Sequence, residues 1–231
     1  RSRQELDEIS QIASRGLQMP LQRIAVLGEL LGSEPSDAMD GNRRAQLKTL
    51  TDEVRDMSEL AKGLADYAHV ERAPVDQVVD LDEVLREVQR DLAGQIAQTG
   101  AEVSVEPLGG VLGNADQLRQ VFWNLLDNAL KFRDPGRPPQ IRVGLEPVAD
   151  RPGAPARVAV RVEDNGIGIP ADQHDAVFEA FARLHPREAY PGIGLGLSFC
   201  RKIVEGLDGT IDVEDGSEEG SSFRVTLRRA G

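Results

Sequence analysis

The chain has 231 residues, a length that fits one large domain or two small ones at about 100–200 residues each. Its 40% hydrophobic content supplies a packed core, while a net charge of −12 and 4% aromatics provide neither the basic stripe nor the stacking platforms that nucleic acid requires. No run approaches the ~20 apolar residues of a membrane span, and an acidic surface repels anionic lipid, so direct membrane insertion is not expected. The single Cys200 excludes an internal disulfide and a Cys-based zinc site, and it fits a reducing, cytoplasmic compartment. The first residue is Arg1 rather than Met, within a helical pattern, and the expectation is a piece of a longer protein.

In residues 1–31 a seam runs through Ser10, Ala13, Leu17, Pro20, Ile24, Leu27 and Leu31, in alternating steps of three and four. That spacing turns one face of a helix toward a partner. The turn-forming stretch 32–42 (GSEPSDAMDGN) interrupts it. A second seam follows through Leu47, Leu50, Val54, Met57, Ala61, Leu64 and Ala68, and Pro74 ends it. Residues 1–73 therefore read as an antiparallel helical hairpin. Two helices bury little, so the hairpin is expected to form a homodimer, as a four-helix bundle. The alternative is that it packs on the rest of its own chain.

Residues 74–231 alternate strand-like and helix-like runs, as an α/β two-layer sandwich does, so the whole is an α+β chain. Val78-Val79 is a short strand and Leu81–Gln98 a helix; Val103 and Val105 alternate as a strand. Ala115–Phe132 is an amphipathic helix capped by Asn114. Strands follow at Ile141–Leu145 and Val158–Val162. After a long irregular stretch come a helix over Ile193–Glu205 and strands over Thr210–Val213 and Ser222–Leu227. The Pro/Gly-rich stretch Pro147–Pro155 reads as a loop. The charge divides unevenly, −3 on residues 1–73 and −9 on residues 74–231.

Three clusters in the second domain carry chemistry. Asn124, Asn128 and Lys131 are spaced i, i+4, i+7, on one helical face among apolar neighbours. Carboxamides and an ammonium on such a face are costly unless they meet a polar ligand; a carboxamide oxygen suits Mg²⁺ and a lysine suits a phosphate. Residues 164–170 (DNGIGIP) place Asp164 at a strand end before Gly166 and Gly168, where a carboxylate can accept a hydrogen bond from an exocyclic amine such as that of adenine. Gly192, Gly194 and Gly196 open a helix and expose backbone N–H groups at its positive end. Their G-x-G-x-G spacing, late in the fold, is not the dinucleotide fingerprint. Between these clusters lie Phe178 and Phe181, read as anchors of a loop that closes over a ligand or as ordinary core, followed by Arg183 and His185.

In this order and spacing the sequence resembles the catalytic core of a sensor histidine kinase: a dimerising helical hairpin followed by an ATP-binding domain of the Bergerat type. The resemblance covers essentially the whole chain. Residues 120–132 (QVFWNLLDNALKF) are similar to that family's N box, 164–170 and 192–197 to its glycine boxes, and Phe178–Phe181 to its F box. The wording FARLHPREAYPGIGLGLSFCRKIVE is most similar to the phytochrome-like branch. The resemblance implies ATP and Mg²⁺ as cofactors, with Asn128 as the Mg²⁺ ligand, Asn124 beside it and Lys131 near the phosphates. It also implies that Asp164 binds the adenine amine, that Gly166 and Gly168 line the base pocket, and that Gly192, Gly194 and Gly196 donate to the triphosphate. Arg183 and His185 fall in the lid. Ile193 replaces the usual Thr or Ser. The implied partners are a second copy, a response-regulator receiver domain and an upstream sensor domain in the same full-length chain.

The acceptor segment departs from the family. Its pattern reads Ser-His-Asp/Glu-Leu-x-x-Pro-Leu, and here Ser14-Arg15-Gly16-Leu17-Gln18-Met19-Pro20-Leu21 keeps the frame and loses the nucleophile. Arg15 stands where the imidazole belongs, and a guanidinium with pKa above about 12 offers no lone pair. Gly16 replaces the acid that would orient the imidazole. Met19 falls where phosphatase-competent members carry Thr or Asn. His69, His174 and His185 lack the acceptor context. The expectation is a degenerate phosphotransfer site in a dimeric, ATP-binding output module. The alternatives are an active kinase using another acceptor or a partner in trans, and an ATPase-driven clamp, whose general-base Glu position holds Asn124 here.

Overall fold

The computed structural model describes residues 24, 26, 47–51, 54, 57, 77–148, 155–186, 189, 190, 192, 194–216 and 220–230. The chain divides into two compact units, Arg1–His69 with Pro191–Ile193, and Val70–Tyr190 with Gly194–Gly231. In the first unit Ile24, Val26, 47–51, Val54 and Met57 are helical. Of the second seam, Leu47 and Val54 stand exposed. The hairpin turn, most seam positions, Arg15, Gly16, Met19, Pro20, His69 and Pro74 lie outside the described residues. Among the described residues no helix is long and apolar enough to cross a membrane.

The second unit opens with β1 (Val78–Asp80), which pairs antiparallel with β3 (Gly110–Leu112), Val79 opposite Val111. Asp80 ends the strand and caps helix α1 (Leu81–Asp91), its Oδ1 accepting from the amides of Asp82 at 2.9 Å and Glu83 at 3.4 Å. Leu81, Val84, Leu85 and Val88, spaced by three and one, form its buried face. The expected single helix over Leu81–Gln98 is in fact two. Leu92 leaves helical geometry at φ −89, ψ 2 with its side chain seated in the core, and α2 (Ala93–Thr99) has no buried residue to hold the axis in line. Helix α2 stops at Gly100, whose φ of 65 suits glycine.

Strand β2 (Glu102–Val105), β4 (Gln140–Glu146), β5 (Arg157–Asp164), β6 (Thr210–Asp215) and β7 (Ser221–Arg228) make one sheet in the order β2-β4-β5-β7-β6. Only β2 and β4 run parallel; the other neighbours are antiparallel. Helix α3 (Ala115–Lys131) begins where expected, the Asn114 carboxamide accepting from Gln117 N at 3.0 Å. Helix α4 (Gly196–Gly206) starts three residues later than the sequence pattern suggests, because Gly194 at φ 80 cannot continue a right-handed helix. The core lies between these helices and one sheet face: Phe122, Leu125, Leu126 and Leu130 of α3 and Ile203 of α4 join Val160 and Val162 of β5 and Phe223, Val225 and Leu227 of β7. Each such side chain contributes about 1.5–3 kcal/mol.

The other sheet face is polar. Arg161 of β5 lies opposite Arg224 of β7. The Arg161 guanidinium meets Glu146 at 2.9 Å and Glu214 at 3.4 Å, and Arg224 Nε meets Glu146 at 3.0 Å. Glu146 is held below the ordinary carboxylate range: burial would raise it, and the two guanidiniums outweigh that. This two-layer sandwich agrees with the fold class expected for residues 74–231.

Candidate functional site

Helix α3 turns an apolar stripe, Leu118, Val121, Phe122, Leu125, Leu126, Ala129 and Leu130, to the core. The intervening Asn124, Asn128 and Lys131 are half-buried. Asn124 Nδ2 donates to the carbonyl of Gln120 at 3.0 Å. Its Oδ1 lies against Gly196, where a Cβ would sit 3.1 Å from it, so the first cluster meets the third at the first turn of α4. Among the described residues nothing bonds the Asn128 carboxamide. Lys131 folds its ammonium over the Phe132 ring, 4.5 Å from the centroid. Burial holds its pKa below the ordinary lysine range and nearby Arg183 pushes the same way, against Asp127.

The second cluster is built at the end of β5. Asp164 Oδ1 accepts from the amides of Gly166 at 2.8 Å and Ser221 at 3.3 Å. Burial raises its pKa above the ordinary range, more than those backbone donors and Arg137 lower it. The turn is pressed against the end of α3: Ile167 N donates to the Phe132 carbonyl at 3.0 Å, and a Cβ on Gly166 would collide with that same oxygen. Gly168 takes φ 71, open to glycine at little cost. Buried Asn165 clasps the preceding loop, its Oδ1 accepting from Gln140 N at 2.8 Å and its Nδ2 donating to Pro138 O at 3.0 Å. Arg137 Nη2 donates to the Gly166 carbonyl at 3.3 Å.

Two of the three glycines of the run, Gly194 and Gly196, lie within this unit. Gly194 accepts from Phe181 N at 2.9 Å, and a Cβ there would stand 2.7 Å from the Ala182 carbonyl. Helix α4 then begins without a side-chain cap, since Ser198 Oγ donates to Leu195 O at 2.9 Å. Its first-turn N–H groups are the orphan donors an anion takes up. Gly192, at φ 136, groups with the first unit.

Of the two phenylalanines, Phe178 is core, edge-on to Phe223 at 6.3 Å with the Arg201 guanidinium 4.1 Å from its centroid. Phe181 sits in the loop, at a φ of 67 that non-glycine residues rarely adopt. Arg183 donates to the Tyr190 carbonyl at 2.9 Å. His185 and Tyr190 gather on Phe132 at 6.0 and 4.9 Å. His174 bonds Ile169 O through Nε2 at 3.0 Å. Cys200 is buried beneath α3 with its thiol pushed up to about 12, an inert packing residue.

The structure thus joins Asn124 to Gly196, Asp164 and Gly166 to the end of α3, and Lys131 to the Arg183–His185 loop. Gly192 is not joined to them within this unit, and Arg15 and Gly16 lie outside the described residues. The sequence reading missed Ser221, Gly220, Asn165 and Arg137. The small residues of 220–223 (GSSF) opening a strand were the available signal for the first two; Gly220 packs its backbone on the Asp164 carbonyl. The uncapped helix start, the Asn128 carboxamide left unbonded among the described residues and the glycine cradle at Gly166 fit a phosphate-bearing, magnesium-associated ligand with an amine-bearing base.

Residues 113–231 match the histidine kinase-, DNA gyrase B-, and HSP90-like ATPase family, and the chain belongs to it. Within that family it is a sensor histidine kinase ATPase core of the phytochrome-like branch. It is 35% identical over 232 residues to cyanobacterial phytochrome A of Nostoc sp. strain PCC 7120, covering 100% of this chain and 29% of that protein. The chain thus spans about three tenths of the length of that curated relative. It is also similar to the mycobacterial sensor histidine kinase MprB, at 28% identity and a TM-score of 0.53, over 67% of this chain and 98% of that one. The fold, over 99% of this chain and 64% of the other, resembles histidine kinase ThkA solved in complex with response regulator protein TrrA, at a TM-score of 0.70 and 21% identity.

Proposed function

We propose that this chain is the output module of a two-component sensor histidine kinase that binds ATP with Mg²⁺, dimerises through residues 1–73, and has lost phosphotransfer at its own acceptor position. The observation that carries the ATP reading is the turn at Asp164. A half-buried carboxylate is held by the Gly166 and Ser221 amides through Oδ1 alone, which leaves Oδ2 for the amine of a base. Gly168 and Gly166 supply the backbone approach. Asn128 would hold the magnesium and Lys131 the phosphates, with Gly194 and Gly196 placing the uncapped N–H groups of α4. ATP supplies the phosphoryl group and Mg²⁺ neutralises its charge.

The loss of phosphotransfer rests on sequence. Arg15 has no lone pair to accept a phosphoryl group, and Gly16 has no carboxylate to take a proton. Homodimerisation is supported by the seam spacing and by exposed Leu47 and Val54. Docking of a response-regulator receiver domain is supported by the ThkA likeness, and an upstream sensor by the greater length of the phytochrome relative. Signal output then follows from partner binding biased by nucleotide and sensor state.

Isothermal titration with ATP and Mg²⁺ tests the first half. Saturable heat from the parent chain, abolished in Asn128→Ala, supports it; no heat from the parent leaves only a scaffold. The second reading, an active kinase working on another acceptor or on a partner's histidine, is favoured by the intact cluster around Asp164 and Asn128. Label transfer to a partner chain would establish it.

A further inference from the structure

At the far end of the polar sheet face, Arg157 of β5 stands directly opposite Arg228 of β7. Like charges facing each other across a strand pair cost stability unless something neutralises them. The neighbouring arginine rung shows how this chain does so: Arg161 and Arg224 share Glu146, and Arg161 also reaches Glu214. Among the described residues the Arg157–Arg228 rung has no such partner. Among the described residues neither guanidinium makes a hydrogen bond or an ion pair, and Arg228 Nε is buried with nothing to donate to. That is the costly condition for a polar group. Both arginines line a depression of about 510 Å³ together with Glu205, Asp208 and Thr210, from the end of α4 and the start of β6. Asp208 is held there at φ 56, and neither acid pairs with the guanidiniums.

We propose that this depression is an oxyanion-binding site, separate from the nucleotide site, in which the Arg157 and Arg228 guanidiniums take a carboxylate or phosphate group. Planar guanidinium forks match both groups. Glu205 and Asp208 in the same lining select the ligand: a compact group with one or two charges pairs with the arginines, whereas a polyanion is repelled more strongly by the two carboxylates. The same chemistry occurs in a dicarboxylate and in a phosphate monoester, and titrations with each tell them apart.

The test is an NMR titration of the ¹⁵N-labelled 231-residue chain, following arginine Nε–H resonances at constant ionic strength, with sodium phosphate, succinate and tripolyphosphate as probes. The expected result is a saturable shift of the Arg157 and Arg228 resonances, with Kd on the order of 1 mM, while Arg161 and Arg224 stay in place. Arg157→Gln and Arg228→Gln should each weaken binding by about tenfold. Asn128→Ala, which alters only the nucleotide site, should leave it unchanged, and tripolyphosphate should bind less tightly than phosphate. A response to phosphate alone or to succinate alone supports the site and names its ligand. Absence of any saturable shift up to roughly 50 mM overturns the proposal. So does equal binding in both arginine variants, or a shift spread evenly over all four arginines.

Discussion

Gly166→Ala tests the geometry at the heart of the nucleotide site. A Cβ at this position collides with the Phe132 carbonyl oxygen and lies 2.9 Å from Asp164 Oδ1, so backbone must move on one side or the other. Phe132 O is already bonded to Ile167 N at 3.0 Å, and the Gly166 amide to Asp164 at 2.8 Å, so either movement loosens a bond that aims the carboxylate. Overpacking of this kind costs about 1–3 kcal/mol. If ATP binding needs the native turn, that cost appears as a loss of affinity of roughly 5- to 150-fold, since about 1.4 kcal/mol is tenfold. Calorimetric titration of ATP with Mg²⁺ reads it directly, with far-UV circular dichroism to establish that the variant is folded. Gly94→Ala is the matched control, because a Cβ there meets nothing within 4 Å. Unchanged ATP affinity in folded Gly166→Ala would refute the claim that contact between the Asp164 turn and the end of α3 shapes the site.

Gly94→Ala itself should raise stability by about 0.5–1 kcal/mol, since alanine is the better helix former, and a thermal melt should show a gain of roughly 1–4 °C. Asp164→Asn should separate stability from binding. The native carboxyl's pKa is raised above its ordinary 3.8, so ionising it costs the folded state, and that cost grows as pH rises through the raised value. The neutral variant should therefore melt higher than the parent at pH 7 and lose the advantage near pH 3, while its ATP affinity falls. An equal melting difference at both pH values would exclude ionisation as the cause.

The strands were legible where their side chains alternate: Val158, Val160 and Val162 enter the core while Arg157, Ala159 and Arg161 face away. The capped helix α3 was legible because Asn114 and the spacing of Leu118 to Leu130 are local signals. What was not legible depends on tertiary contact. The break at Leu92 exists because that side chain reaches the core, and the late start of α4 because Gly194 is held against Ala182. Strand β3 has three residues, too few to show a period. Ser221 acts at the site only because β7 lies beside β5, and no local pattern carries that pairing. Lys131 was expected near phosphates, and its ammonium rests on the Phe132 ring.

Incubating the chain with γ-labelled ATP and Mg²⁺ and measuring label on the protein decides whether an ATP-binding output module has lost the capacity to phosphorylate itself. No acid-labile label is expected on this chain at ATP concentrations that saturate the calorimetric signal. Acid-labile label retained on the chain would contradict it and place an acceptor somewhere other than Arg15.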